Sequence, residues 1–208
     1  MSLAGGIADG VAAMGIELPA EAIARLAAHL ELVEKWNRVH NLTAIRETEQ
    51  MISLHALDSL SILPQVEGAK TLLDVGSGAG LPGIPLAIAR PQMHVTLLDV
   101  SHKKCAFLQQ GKTELALANV DVVCERVETW KPPAKFDVVV SRAFADLADF
   151  VEQAKHLVAP GGRLLAMKGL YPFDEIARVP ATHRVAQVIE LRVPRLDASR
   201  HLVLVEAA

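Results

Sequence analysis

From Thr71 onward the chain alternates short apolar runs with longer helix-like segments, and this alternation constrains the fold more than any other feature. "TLLDV" (71–75), "HVTLLDV" (94–100), "VDVVCE" (120–125), "FDVVVS" (136–141) and "RLLAMK" (163–168) are mostly continuous hydrophobic stretches. Such runs mark strands buried on both faces, as in a parallel sheet. Residues 82–90, 102–118 and 146–158 lie between them and read as helices. The alternation predicts an α/β fold, a parallel sheet with helices on both faces. Pro91 and Pro160-Gly161-Gly162 read as stops after two of the helices. Near the end, "RVAQVIELRVP" (184–194) and "RHLVLVEA" (200–207) read as an antiparallel strand pair at the sheet edge.

Upstream of Thr71 the pattern is helical. After Pro19, Ile23, Leu26, Leu30 and Val33 share one face of an amphipathic helix. A second helix is expected over 47–63, ending before Pro64. Residues 1–68 are therefore expected to form a small helical appendage, packed on a Rossmann-like core over 69–208. A chain of 208 residues, 51% hydrophobic and 22% charged, is large enough for one good core. No apolar run approaches the roughly 18 residues needed to cross a bilayer, and Met1–Gly10 lacks a basic leader pattern. A cytoplasmic protein is expected. Cys105 and Cys124 read as reduced thiols, and the eight histidines show no ligand spacing, so no metal is expected. The net charge of −3 is uneven, at −4 over 1–70, −1 over 71–158 and +2 over 159–208. The chain is no bulk neutraliser of nucleic acid, and any such contact must use a local basic patch.

The stretch "LLDVGSGAGLPG" (72–83) carries the chemistry. Gly78-x-Gly80-x-x-Gly83 matches the dinucleotide fingerprint, whereas Asp74-x-Gly76-x-Gly78-x-Gly80 resembles the acidic-then-glycine turn of S-adenosylmethionine-dependent methyltransferases. A strand ending in a glycine turn that enters a helix makes a nucleotide crevice in either case. Asp74 separates the two readings. An acid at the strand end answers the cationic amino group of S-adenosylmethionine and sits badly beside a pyrophosphate. Asp99, at the end of "HVTLLDV", is placed to accept both ribose hydroxyls with either cofactor. No Gly-Lys-Ser/Thr follows the glycines, which excludes a P-loop. A small NAD(P)-dependent oxidoreductase and a non-catalytic nucleotide sensor are the alternatives.

Neither cysteine is placed as a nucleophile for carbon methylation. The segment after the fourth strand, "SRAF" (141–144), lacks the Asn/Asp-Pro-Pro-aromatic turn of adenine amino-group methylation. A ring nitrogen with a free lone pair, such as guanine N7, needs neither device and no general base. The residues are compatible with that chemistry without singling it out.

Taken together, "WNRVHNLTAIRE" (36–47), "HALDSL" (55–60), "LLDVGSGAGLPGIPLAI" (72–88), "SRAFADL" (141–147), "MKG" (167–169) and "RHLVLVE" (200–206) cover nearly the whole chain. With them it resembles the bacterial 16S ribosomal RNA guanine-N7 methyltransferases once called glucose-inhibited division protein B. The resemblance implies a class I methyltransferase fold, S-adenosylmethionine as donor, and as substrate guanine-527 in the 530 loop of small-subunit 16S rRNA. It places Gly76, Leu81, Val127, Glu128 and Arg142 around the cofactor and Asp99 on its ribose, beside Asp74, Gly78 and Gly80 of the loop. Ser77 and Ala79 stand where the family often has Thr and Pro. Arg142 and Lys168, at strand ends, are the expected catalytic residues. Asn41, His55, Asp58, Lys168, Arg195, Arg200 and His201 are the expected RNA-facing residues. His55, Asp58 and Ser59 share one helix face by their spacing. The expected partner is 16S rRNA or the small subunit, bound by a monomer with no DNA target and no membrane contact.

Overall fold

A computed structural model describes residues 2–208. The core is one seven-stranded sheet: β1 (Thr71–Val75), β2 (His94–Leu98), β3 (Val120–Val123), β4 (Phe136–Ser141), β5 (Val158–Lys168), β6 (His183–Glu190) and β7 (His201–Ala207). Their order is β3-β2-β1-β4-β5-β7-β6. The first five run parallel, and β7 pairs antiparallel with both β5 and β6. The chain leaves β1 toward β2 and β3 on one side, then returns to place β4 on the other. The order therefore reverses at β1, and the crevice beyond the carboxyl ends of β1 and β4 is the switch point where such sheets bind ligands.

Helices α5 (Gly83–Ala89), α6 (His102–Glu114) and α7 (Leu147–Ala154) connect the strands. Asp146 caps α7 by accepting from the amides of Ala148 and Asp149. Pro160-Gly161-Gly162 does not end a helix. It lies inside β5 at a register shift between the pairs Phe136–Val158 and Val138–Arg163. The extra residues form a bulge, which a glycine at φ +76° accommodates.

The N-terminal region holds more helix than its sequence pattern indicated. An additional helix, α1 (Leu3–Ala13), buries Ile7 and Val11, and Ser2 caps it through the Gly5 amide. Its glycines and alanines gave no clear 3.6-residue stripe. Helix α2 (Ala20–His40) forms as expected and ends on Asn41 in the left-handed region, a C-cap conformation. The expected second helix is broken into an α-turn, α3 (Thr48–Met51), a π-helix (Ile52–Leu57), another α-turn, α4 (Asp58–Leu60), and a 3-10 turn (Leu63–Val66). One cluster of buried apolar side chains runs from Ile7, Leu30 and Leu57 through Leu72 and Ile84 to Leu204. The N-terminal helices and one face of the sheet thus share a core, while a second cluster under α7 fills the other face.

Candidate active site

The glycine loop folds back onto the end of β2. The amides of Gly76 and Ser77 donate to the Leu98 carbonyl at 2.8 and 3.1 Å, and the Gly78 amide donates to Asp99 Oδ2 at 3.0 Å. Gly76 has φ +73°, and a Cβ there would come within 2.7 Å of the Ala143 Cβ. Glycine is thus required for the loop to pass the end of β4. Beside it opens a cavity of about 270 Å³ lined by Gly76, Asp99, Val127, Glu128, Ala143 and Phe144. Asp99 is 4% exposed and also accepts from the Ser101 amide at 2.9 Å. Lys104 Nζ lies 3.7 Å from its Oδ2. A carboxylate has about four acceptor positions, so two backbone donors leave room for further hydroxyls.

Asp74 occupies a different place from the one its sequence position suggested. It is fully buried beneath the loop and does not line the cavity. Its Oδ2 accepts from the Gly83 amide at 2.9 Å, at the first turn of α5, and its Oδ1 has no protein partner. Burial raises its carboxyl to about 7, against the pull of the Gly83 and Ser77 hydrogen bonds and the Arg142 charge. The helix N-terminus that would hold a pyrophosphate in a dinucleotide site is therefore already filled by an acid. This argues against NAD more firmly than the sequence did. Leu81 also departs from expectation, since it is 3% exposed and packs in the main core rather than on the cavity.

A second cavity, of about 390 Å³, is lined by Arg142, which does not line the first as expected, although its neighbour Ala143 does. His55, Asp58, Arg142, Lys168, Arg200 and His201 line it, together with the Thr43–Ile45 turn. Residues from the π-helix, α4, the end of β5, the start of β7 and the segment just after β4, far apart in sequence, are thus brought together. Its centre is the buried Asp58. Oδ2 accepts from Arg142 Nη1 at 3.2 Å, and Oδ1 lies 3.2 Å from Arg200 Nε. Burial raises the Asp58 carboxyl, and the two guanidiniums oppose that rise. Arg142 Nη1 also donates to the Leu54 carbonyl at 2.9 Å. That carbonyl belongs to the π-helix, a rare helical form frequently found at functional sites. Arg142 does not pair with Asp146, which instead meets Arg178 at 2.6 Å. His55 is 3% exposed, both of its ring nitrogens lack partners, and burial lowers it to about 4. It is a neutral imidazole at pH 7.

Three expected RNA-facing residues are engaged elsewhere. Lys168 donates to the carbonyls of Phe144 and Ala145 and to Glu175 Oε2, at 3.1, 2.9 and 2.7 Å. An ammonium has three donors, so this one fastens the segment after β4 rather than offering a free cation. Asn41 Oδ1 accepts from Arg46 at 2.6 Å, and Arg195 Nη2 lies 3.3 Å from Asp9 Oδ2 of α1. One residue with no sequence signal also enters the site. His29 of α2 is fully buried, and its Nε2 donates to the Ala79 carbonyl of the glycine loop at 2.9 Å. A lone histidine on an apolar helix face looks like core until its partner is seen.

A family model described as rRNA small subunit methyltransferase G matches residues 22–203. The chain belongs to that family. Among curated members, the ribosomal RNA small subunit methyltransferase G of Aromatoleum aromaticum is 56% identical over 95% of this chain and 96% of its own length. The protein of that name from Laribacter hongkongensis is 54% identical over 98% of both chains. Solved structures agree on the fold. The mitomycin 7-O-methyltransferase MmcR aligns with a TM-score of 0.61 at 15% identity, over 90% of this chain and 68% of its own. The ribosomal protein L11 methylase of Lactobacillus delbrueckii subsp. bulgaricus aligns with a TM-score of 0.56 at 17% identity, over 73% and 76%. This small subunit methyltransferase G family member is therefore a class I methyltransferase, and family and fold make S-adenosylmethionine its cofactor. The site fits that group. Gly76 lets the loop pass Ala143 beside the cavity, Asp99 offers acceptors for its ribose, and the N-terminus of α5, where a dinucleotide's pyrophosphate would sit, is taken by Asp74.

Proposed function

We propose that the second cavity receives a guanine of 16S rRNA, guanine-527 of the 530 loop, and holds its N7 toward the cofactor cavity. S-adenosylmethionine supplies an electrophilic methyl group on a sulfonium. Asp99 holds the ribose, and Val127 and Glu128 flank the adenine. Asp58 fixes the guanidiniums of Arg142 and Arg200 in one orientation, so their remaining N–H groups present donors toward the O6 edge of the base. His55 supplies a neutral polar wall.

The observation that carries this reading is the pair of guanidiniums, Arg142 and Arg200, that Asp58 holds at the wall of the second cavity. His55 is lowered to about 4, and Asp58 is pinned between two arginines. Methylation at guanine N7 uses a lone pair and removes no proton in the step, so what the cavity must supply is orientation of the base. Lys168 is a positioning residue in this scheme, acting through the Phe144–Ala145 segment. The working unit is a cytoplasmic monomer acting on the small subunit, without DNA or membrane contact. Among the described residues both cysteines are free thiols, and no helix is long and apolar enough to cross a membrane.

The test is incubation with methyl-labelled S-adenosylmethionine and small subunits lacking the modification. Label at N7 of a single 16S guanine is expected. Label at another base, or none, overturns the reading.

A further inference from the structure

Five large hydrophobic side chains face solvent among the described residues, and three of them, Leu170, Tyr171 and Phe173, fall within four consecutive positions after β5. Tyr171 and Phe173 are also the only exposed members of Phe, Trp and Tyr among the described residues, at 39% and 75%. Their ring centroids are 4.2 Å apart, and Tyr171 stands edge-on to His201 at 5.6 Å. His201 in turn donates from Nδ1 to the Gly169 carbonyl at 2.9 Å. Gly169 and His201 are both walls of the second cavity. The aromatic pair therefore continues that wall outward to its rim.

The segment is held rather than loose. Pro172 between the two rings is buried, and Lys168 before them ties to Glu175 behind them at 2.7 Å. Rings kept in water on a fixed support suit a partner with an apolar face. The patch is far too small for a stable protein interface, which buries on the order of 1,000 Å² or more. His201 borders it, and the guanidinium of Arg200 lines the adjoining cavity, which suits a polyanion. Asp174, exposed in the same segment, disfavours a phosphate seated directly there and leaves stacking, which needs no charge, as the contact.

We propose that Tyr171 and Phe173 form a stacking platform for an unpaired RNA base next to the target nucleotide. The proposal rests on the reading that the second cavity takes a guanine of rRNA. Unstacked bases commonly settle on exposed aromatic side chains in sequence-specific RNA recognition.

The test compares wild type with the double variants Tyr171→Ala/Phe173→Ala, Tyr171→Phe/Phe173→Tyr and Tyr171→Leu/Phe173→Leu. Methylation of undermodified small subunits is measured, with cofactor affinity determined separately. The alanine pair is expected to raise KM for the subunit by about tenfold or more, with cofactor affinity unchanged. The aromatic pair should restore KM and the leucine pair should not. An unchanged KM, full rescue by leucine, or a fall in kcat alone overturns the platform. So does a wild-type dimer in sedimentation that the alanine pair dissolves while KM stays the same. Failure of wild type to label rRNA would instead sink the functional reading. Anisotropy of a labelled unpaired oligoribonucleotide then still decides the platform, because stacking requires the alanine pair to bind it about tenfold more weakly and equal binding overturns it.

Discussion

At the scale of single residues, three buried aspartates do three different jobs. Asp99 meets the cofactor cavity and also pins the loop through Gly78. Asp99→Ala is expected to weaken S-adenosylmethionine binding by roughly 1.5–3 kcal/mol, the worth of a hydrogen bond to a charged group. Isothermal titration checks this, and RNA affinity should change less. Asp58 is a counterion for two arginines that are themselves partly exposed, at 28% and 22% of the side chain. Asp58→Asn leaves cations that water can reach. Replacing Arg142 and Arg200 together by Met leaves a buried carboxylate with no cation. The double arginine variant should therefore lose more stability in urea, on the order of 3–5 kcal/mol, than the single aspartate variant. Equal losses would show that water reaches Asp58 more freely than its burial indicates. Asp74 supports α5 from beneath, and Gly83 is its necessary neighbour, because a Cβ there would come within 2.8 Å of Asp74 Oδ2 and also strike Leu97. Gly83→Ala is expected to cost about 1–3 kcal/mol by overpacking, read as a shift of the urea midpoint.

At the scale of elements, the N-terminal helices hold both cavities rather than merely covering the sheet. Helix α2 reaches the glycine loop through His29, and the π-helix and α4 reach Arg142, just after β4, through the Leu54 carbonyl and Asp58. His29→Leu removes the donor to Ala79 and leaves a buried carbonyl unpaired, for a cost of about 1–3 kcal/mol. It should weaken cofactor binding as well as stability, and His29→Gln should recover part of both. Cofactor titration and urea unfolding report the two effects. Lys168→Met should loosen the segment after β4 while leaving the salt dependence of RNA binding unchanged, since its ammonium is fully engaged within the protein. The strands and α2 were legible because continuous and 3.6-residue apolar patterns report burial directly. Helix α1 was not legible, because small residues carry little periodic signal. The break at 52–60 was not legible either, because no glycine or proline marks it.

For the whole molecule, pH dependence joins these pieces. His29 and His55 are lowered to about 4, and Asp74 is raised to about 7. Between about pH 4 and the ordinary histidine value near 6.5, the unfolded chain binds a proton at each histidine that the folded chain does not. The folded chain holds one on Asp74 that the unfolded chain lacks. The histidines make stability fall as pH drops, and Asp74 makes it fall as pH rises. From these three groups the unfolded chain carries one extra proton, so they raise stability with pH by about 1.4 kcal/mol per unit. Asp74→Asn removes the opposing contribution and should steepen the slope by about the same amount. Urea unfolding of both proteins at several pH values between 4 and 6.5 checks this, and parallel slopes would mean that Asp74 is ionised in the fold.

The sequence by itself determined the sheet, the glycine loop at its switch point and the acid at the end of β2, because local patterning and turn chemistry report burial and backbone shape. It also settled the family, since its matching segments run nearly the whole length of the chain. Only the tertiary structure decided which polar groups are free to act. Asp74 went beneath the loop, Lys168 was used up on two carbonyls and a glutamate, and Asp58 became the pivot of two arginines more than eighty residues away in the chain. Spacing along a sequence tells where a side chain is attached. Whether its donors and acceptors are already satisfied depends on neighbours that only the closed fold brings within hydrogen-bonding distance.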